Sequence, residues 1–412
     1  MDVIILGGGL AGCSTAYYLK QMGNEVTIVE KNRIGGLLNQ IHFQNSECYC
    51  DLGPHFLFLD KDIDDVRKLF SQYSELIKVE PYACTFPTGN LTEPHDYPIS
   101  HSNIERWIDK EQIKKEINPT PNSSNFANFK DFVVQQCGMT LYSRYFQNYT
   151  KKFWGMDPAD VVGDWIGKKI KFPRGATPFF GEDEVFYPKE KYENILSNMI
   201  QDCNIIYNEV DKIKTSQGKI VSVATKEKKE LKGDIFVSTV EPSILVNDRF
   251  HIPEYRSMII VAILVSIKSD KIFNENVLWG YFPNHYHFTR LTNYAHIAQI
   301  HKSDLTLVSF EFPCFFRDGL WGKPDDWFQS YVTLFLANQN VVFELIECSV
   351  QRIEKAYPIP SISEIRKFNA IEEYFQDFSN ISFIGRIGSY KYTWMRDIVQ
   401  EAKALSEHLT SR

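Results

Sequence analysis

The chain has 412 residues, 43% of them apolar, 24% charged and 14% aromatic, with a formal net charge of −7. That length exceeds one ordinary hydrophobic core and points to two or three domains. An acidic balance without blocks of like charge gives no basic surface for nucleic acid. The longest apolar run, MIIVAILVSI over 258–267, is too short to span a bilayer and reads as a buried strand. Met1-Asp2 leads straight into apolar residues with no basic region or cleavage site, so a cytoplasmic protein is expected. The eight cysteines (13, 48, 50, 84, 137, 203, 314, 348) show neither metal-ligand nor disulfide spacing, which suits a reducing compartment.

The first predicted strand is Val3-Ile4-Ile5-Leu6, followed by the glycine turn Gly7-Gly8-Gly9-Leu10-Ala11-Gly12. CSTAYYLKQM then has helical spacing, stops at Gly23, and is followed by the strand EVTIVE, ending at Glu30. Gly7 permits the tight turn, Gly9 lets backbone approach a pyrophosphate, and Gly12 lets the helix sit close to the strand. The helix N-terminus offers unpaired N–H groups to phosphate, and Glu30 can accept hydrogen bonds from ribose hydroxyls. A glycine turn alone is weak evidence of a ligand. With strand, helix and acid in order, dinucleotide binding is the expectation.

Beyond Glu30 the chain breaks into Gly35-Gly36 and Asp51-Leu52-Gly53-Pro54-His55-Phe56, where a nicotinamide fold would repeat strand–helix units. A helix is predicted within 60–80, short strands and turns over 81–100, and a loop over 115–128. From Phe129 a helical stretch is expected to run through YTKKFWG and on through ADVVGDWIGKKI, followed by a mobile loop over 172–184. A hairpin is predicted from 204, then the buried strand DIFVSTV, strands near 257–268, 278–299 and 305–313, and a helix at 323–337. The return is NISFIGRIGSY with a helix from Arg396. His285 and His287 would alternate onto one strand face, but no third ligand is spaced to complete a metal site, and none is expected.

GGGLAG, VEK, GG at 35–36, DLGPH, FKDFVVQQCGMTLYSRYFQNYTKKFWGMDP, HFTR (287–290) and GRIGSYKY (385–392) together resemble the flavoenzymes grouped around UDP-galactopyranose mutase, with related protoporphyrinogen-oxidase-like and amine-oxidase-like proteins. The resemblance covers most of the chain, and YTKKFWG is its most specific piece. It implies an α/β fold: an FAD-binding Rossmann-like (GR2-type) domain interleaved with a helical domain and an antiparallel-sheet substrate domain. The FAD domain would take 1–80, 190–250 and 378–412, the sheet domain 81–114 and 251–377, and the helical domain 115–189.

By the same resemblance, Gly7, Gly9, Gly12, Glu30, Lys31, Gly35 and Gly36 would bind FAD, with His55 against the isoalloxazine. Val210 would meet the adenine side, and Arg386 and Met395 would lie near the flavin. Tyr149 would pack on uracil, while Trp154 and Trp394 line the substrate site. Arg174 in the loop, Arg290 and Tyr392 would hold a diphosphate, to which guanidinium forks and phenols are suited. With His55 these three make the catalytic set. The implied activity is a mutase converting a nucleotide-sugar between pyranose and furanose forms through reduced FAD, in surface-polysaccharide or related biosynthesis. NAD(P)H is one source of electrons, and a homodimer is one option for assembly; no nucleic acid or membrane partner is implied.

From the residues alone, His55 reads equally as a core histidine, Tyr149 and Trp154 as core aromatics, and Arg174 as a solvated loop charge. Two departures from the family pattern stand out. Trp394 occupies a position where the mutases carry an acid, with Asp397 one step beyond the second acidic position, and YPKEKYENIL (187–196) lacks the glycines many relatives have after YPK. An oxidoreductase passing hydride to FAD, with Tyr390, Tyr392 and Trp394 clamping its substrate, is therefore the alternative; a flavin-binding protein whose chemistry has lapsed is a third.

Overall fold

The computed structural model describes residues 1–44, 46–59, 64–80, 82–99, 101–117, 126–163, 184–246, 249–267, 272, 277–294, 297 and 305–411. Its first sheet is wholly parallel, in the order Asn204–Tyr207, Glu25–Glu30, Asp2–Leu6, Ile235–Ser238, Ile381–Phe383. Val3, Ile5 and Val26 face one cluster and Ile4, Leu6 and Val29 another, so both sides of the sheet are covered. The helix Leu10–Gln21 lies between the first two strands in sequence and packs on the terminal helix Met395–Thr410. This is a mixed α/β fold with a Rossmann-like domain. A hairpin, Val210–Ser216 with Lys219–Thr225, precedes the fourth strand as expected.

The second large sheet has seven strands. Their order is Phe343–Pro358, Tyr255–Ile267, Leu305–Cys314, Arg290–Asn293, Val277–Tyr281, Tyr82–Thr85, His95–Tyr97. All neighbours are antiparallel except Val277–Tyr281 with Tyr82–Thr85. The apolar run at 258–267 is its buried centre: Met258, Ile260 and Ala262 face the cluster shared with the parallel sheet, and Ile259, Val261 and Ile263 face a second one. The helical part runs from Phe129–Leu141 through a π-helical turn, Tyr142–Phe146, into Gln147–Trp154.

Several expectations are corrected. Among the described residues the helix within 60–80 covers Asp64–Ser71, and Leu76–Lys78 is a strand. Among its described residues the span 278–299 holds two strands, because Pro283 and a left-handed His285 (φ 68°) turn the chain between them. His285 and His287 therefore do not share a strand face. Residues 158–160 form a turn and Val161 only a single bridge to Ser361, so the helix does not continue there. The glycine-arginine-glycine turn is one helical turn, Gly385–Gly388, and the terminal helix begins at Met395. The predicted mobile loop at 172–184 falls, except for Glu184, outside the described residues.

Candidate active site

The glycine turn makes a cradle from which side chains are excluded. Gly7 is left-handed (φ 102°), and a Cβ on Gly12 would lie 2.0 Å from the Gly7 carbonyl oxygen. Gly9 bridges Gly35, and a Cβ on Gly36 would stand 3.0 Å from the Gly9 Cα. The two glycine pairs thus pass backbone to backbone above the N-terminus of the helix Leu10–Gln21. Glu30 ends its strand beside them, its Oε2 accepting from the Gly8 N–H (2.7 Å) and its Oε1 from the Asn32 N–H (2.8 Å). Val210 is buried at the start of its hairpin strand. Lys31, by contrast, is exposed and pairs with Glu209 (3.0 Å).

A cleft of about 800 Å³, part of it open to solvent, lies against the seven-stranded sheet, walled by the segment 52–58 and the start of the terminal helix. His55, Arg290, Arg386, Tyr392, Trp394 and Met395 all line it. Buried Asp51 sets the position of His55: its carboxylate accepts from the His55 N–H (3.0 Å), Gln40 (2.7 Å) and Tyr187 (2.8 Å). Tyr192 donates to the His55 carbonyl (2.6 Å). Burial and the Arg386 and Arg290 guanidiniums pull the His55 pKa down to about 3, so the ring is neutral near pH 7. The His55 Nδ1 and the Arg386 Nε are buried without a hydrogen-bond partner among the described residues. The Arg386 guanidinium lies over the rings of Tyr357 (4.9 Å) and Tyr392 (5.6 Å).

Arg290 opens its short strand, and its Nε donates to Glu311 Oε1 at 2.6 Å. The two residues are direct cross-strand partners. Glu311 is only 2% exposed and Arg290 19% at the side chain, so the carboxylate is enclosed while the guanidinium reaches the cleft. Gly53 makes room for both: a Cβ there would meet Glu311 at 3.5 Å and Arg290 at 3.9 Å.

A second cavity, about 810 Å³, adjoins the first through Tyr392, which lines both. Its walls are mostly aromatic. Tyr149 stacks on Phe153 one turn along its helix (5.8 Å) and meets Tyr281 edge-on (5.7 Å). Trp154 is buried against Phe153 and Tyr392. The structure therefore brings together His55, Arg290, Arg386, Tyr392, Trp394 and Met395 in one cavity and Tyr149, Trp154 and Tyr392 in the next. Arg174 lies outside the described residues.

Trp394 packs on Phe58 (5.5 Å), with the Arg396 guanidinium 4.8 Å from its ring. Its backbone N–H donates to Asp397 (3.0 Å), so the acid displaced along the chain serves the helix start. Sequence reasoning missed Glu311, Tyr281 and Tyr357. A lone acid inside the apolar strand LTLVSFEFPC could have flagged Glu311; Tyr357 sits on a strand whose half-exposed, charged pattern gave no strand signal.

The arrangement defines a class: a flavoprotein, with a Rossmann-like dinucleotide cradle and a cleft against the seven-stranded sheet. The residues fit FAD, since the glycine cradle admits only backbone and the unpartnered His55 and Arg386 nitrogens face a cleft large enough for a ring system. Comparison with known proteins narrows the class. Residues 144–343 match the family model for UDP-galactopyranose mutase, and residues 5–73 that for an NAD(P)-binding Rossmann-like domain. The dTDP-fucopyranose mutase of Escherichia coli is 21% identical over 425 residues, covering 97% of this chain and 96% of that protein. A crystal structure of reduced UDP-galactopyranose mutase superposes with a TM-score of 0.80 at 16% identity, covering 100% of this chain and 95% of the other. A putative protoporphyrinogen oxidase from Exiguobacterium follows at 0.75 and 14%, covering 100% and 98%. Nearly the whole chain is thus similar to nucleotide-sugar mutases, in a fold like that of UDP-galactopyranose mutase, and FAD is its cofactor. Among the described residues no helix is long and apolar enough to cross a membrane, and no group of three His, Cys, Asp or Glu is placed to hold a metal.

Proposed function

We propose that the protein interconverts the pyranose and furanose forms of a nucleoside-diphosphate hexose, with FAD held in the cleft beside His55. The observation that carries this reading is Tyr392, shared by a charged cavity containing Arg290 and an aromatic cavity containing Tyr149. A nucleotide-sugar has the same sequence of parts: a flat base, a diphosphate and a sugar. Tyr149 and Phe153 take the base by stacking, Arg290 and Tyr392 donate to the diphosphate, and the sugar reaches the wall of His55 and Trp394. Arg174, which lies outside the described residues, is assigned to the phosphates by the family resemblance alone. The match to a dTDP-fucopyranose mutase along nearly the whole chain makes a dTDP- or UDP-linked sugar the first to test.

Bound flavin, when reduced, supplies a nucleophilic nitrogen for the anomeric carbon. The chain supplies placement and charge. Arg290 and the Tyr392 hydroxyl stabilise the diphosphate as it leaves, and Glu311 holds the guanidinium in one orientation. His55, neutral, offers Nδ1 as a hydrogen-bonding group that adds no charge beside the two arginines. Apolar Phe58, Met395 and Trp394 exclude water from the reacting centre. The division into an FAD domain (1–80, 190–250, 378–412), a sheet domain and a helical domain belongs to this reading, as does a cytoplasmic location.

The test is purification with the flavin spectrum recorded, then titration with UDP, dTDP and their sugars in oxidised and reduced states. Reduced enzyme that neither binds a nucleoside diphosphate nor isomerises its sugar would overturn the proposal. A second reading, an oxidoreductase taking hydride from a small molecule, is favoured by the aromatic wall of Phe58 and Trp394. Stoichiometric bleaching of the flavin by a substrate without nucleotide would select it.

A further inference from the structure

The chain from Tyr281 to Arg290 is a hairpin turn that includes a left-handed His285, and three of its carbonyls converge on one cation. Lys152, on the helix Gln147–Trp154, donates its ammonium to the carbonyl oxygens of Phe282, Tyr286 (2.9 Å) and Phe288 (2.8 Å). Three donors meet three acceptors, which satisfies an ammonium completely. Among the described residues no carboxylate pairs with it, and burial lowers its pKa to about 7, so the three carbonyls hold the ammonium form at and below neutral pH. Carbonyl oxygens around a desolvated positive charge form the arrangement that proteins otherwise give to a bound cation.

Both ends of this contact are anchored. One residue pair links the same helix to the same turn, with Asn148 Nδ2 donating to Asn284 Oδ1 (2.8 Å) while Asn284 Nδ2 donates to the Pro87 carbonyl (3.0 Å). From the other side Arg256 donates to the carbonyls of Phe153 (2.7 Å) and Lys152 (2.9 Å), fixing the helix C-terminus. The turn is closed by the Phe282 N–H on the Thr289 carbonyl (2.9 Å), and the Thr289 N–H joins the Glu311 carbonyl (2.8 Å). Arg290 is the next residue. Tyr149 precedes Lys152 by three positions, on the same side of the helix.

We propose that Lys152 is a positioning residue whose ammonium takes the place of a bound cation inside the 282–288 turn and so fixes Arg290 relative to Tyr149. It joins the wall that takes the base to the wall that takes the phosphates without touching either ligand. The nucleotide part of this inference rests on the proposed function; the fixing of the turn does not.

Hydrogen exchange of the FAD-loaded protein tests the turn directly. In Lys152→Met, exchange over 282–290 should rise by about tenfold or more while the parallel sheet and flavin spectrum stay unchanged. In Lys152→Ala, ethylammonium should restore part of the protection, because it can refill the carbonyl cage; in Lys152→Met, whose side chain occupies the space, it should not. Affinity for UDP and dTDP should fall about tenfold in both variants and recover with ethylammonium only in the first. Unchanged exchange in the variants, or rescue of both alike, would overturn the inference. So would rapid exchange of the Phe282 and Thr289 amides in the wild type, a result needing no variant. A wild type that protects the turn yet binds neither nucleotide refutes the functional reading and leaves the clamp standing.

Discussion

Replacing Arg290 by Met separates what the arginine does for the fold from what it does for a ligand. Glu311 is 2% exposed and Arg290 Nε is its ion-pair partner at 2.6 Å. Removing one member of such a buried pair strands the other charge and costs about 3–5 kcal/mol. Because the Arg290 side chain keeps 19% exposure, Glu311→Met should cost less, about 1–3 kcal/mol. The double variant Arg290→Met/Glu311→Met should return to within about 1 kcal/mol of wild type, since apolar groups of similar volume replace buried pairs well. Ligand binding should behave differently. A charged hydrogen bond to phosphate contributes about 1.5–3 kcal/mol, so UDP or dTDP affinity should fall roughly ten- to hundredfold in Arg290→Met and stay low in the double variant. Urea unfolding of the FAD-loaded proteins reads the first quantity and calorimetric titration the second. An Arg290→Met protein as stable as wild type would refute the mutual dependence of the pair. Recovery of nucleotide affinity in the double variant would refute the assignment of Arg290 to the diphosphate.

Burial raises the Asp51 pKa to about 6, so between 3.8 and 6 the folded protein holds a proton that the unfolded chain has released, and Asp51 lowers stability as pH rises through that window. Asp51→Asn should therefore make the melting temperature climb more steeply, or fall less, from pH 4 to 6 in a pH series of thermal melts; an unchanged slope would contradict the assignment. Gly12→Ala would set a Cβ 2.0 Å from the Gly7 carbonyl oxygen, and the purified protein should lose most of its flavin absorbance. Trp394→Asp should leave the melting temperature within a few degrees, because the Asp397 carboxylate accepts the residue 394 N–H whatever its side chain. It should nevertheless change which nucleotide-sugars perturb the flavin spectrum, as residue 394 lines the cleft.

The dinucleotide cradle was legible in the sequence because each of its glycines answers a local steric demand that six residues declare together. The buried strand at 258–267 was legible for a similar reason: a continuous apolar run has one physical use in a chain of this composition. Long-range pairing left weaker marks. Phe343–Pro358 is an edge strand with partly exposed charged positions, so neither alternation nor hydrophobicity announced it, and with it went Tyr357. Glu311 acquires its role only from the register that sets it opposite Arg290. Trp394 was noticed as a departure, but its consequence depended on Asp397 one helical turn ahead, where the acid caps backbone rather than facing the cleft. YTKKFWG was read for its aromatics; its second lysine, Lys152, gained meaning only when three carbonyls from a distant turn came to meet it.

The most direct measurement is to reduce the FAD-loaded protein anaerobically and follow UDP- and dTDP-linked hexofuranoses by NMR. The expected result is redox-neutral conversion to the pyranose form, dependent on the reduced state and lost in Arg290→Met. Absence of ring interconversion with any nucleotide-sugar, together with flavin reduction by a substrate that carries no nucleotide, would contradict it.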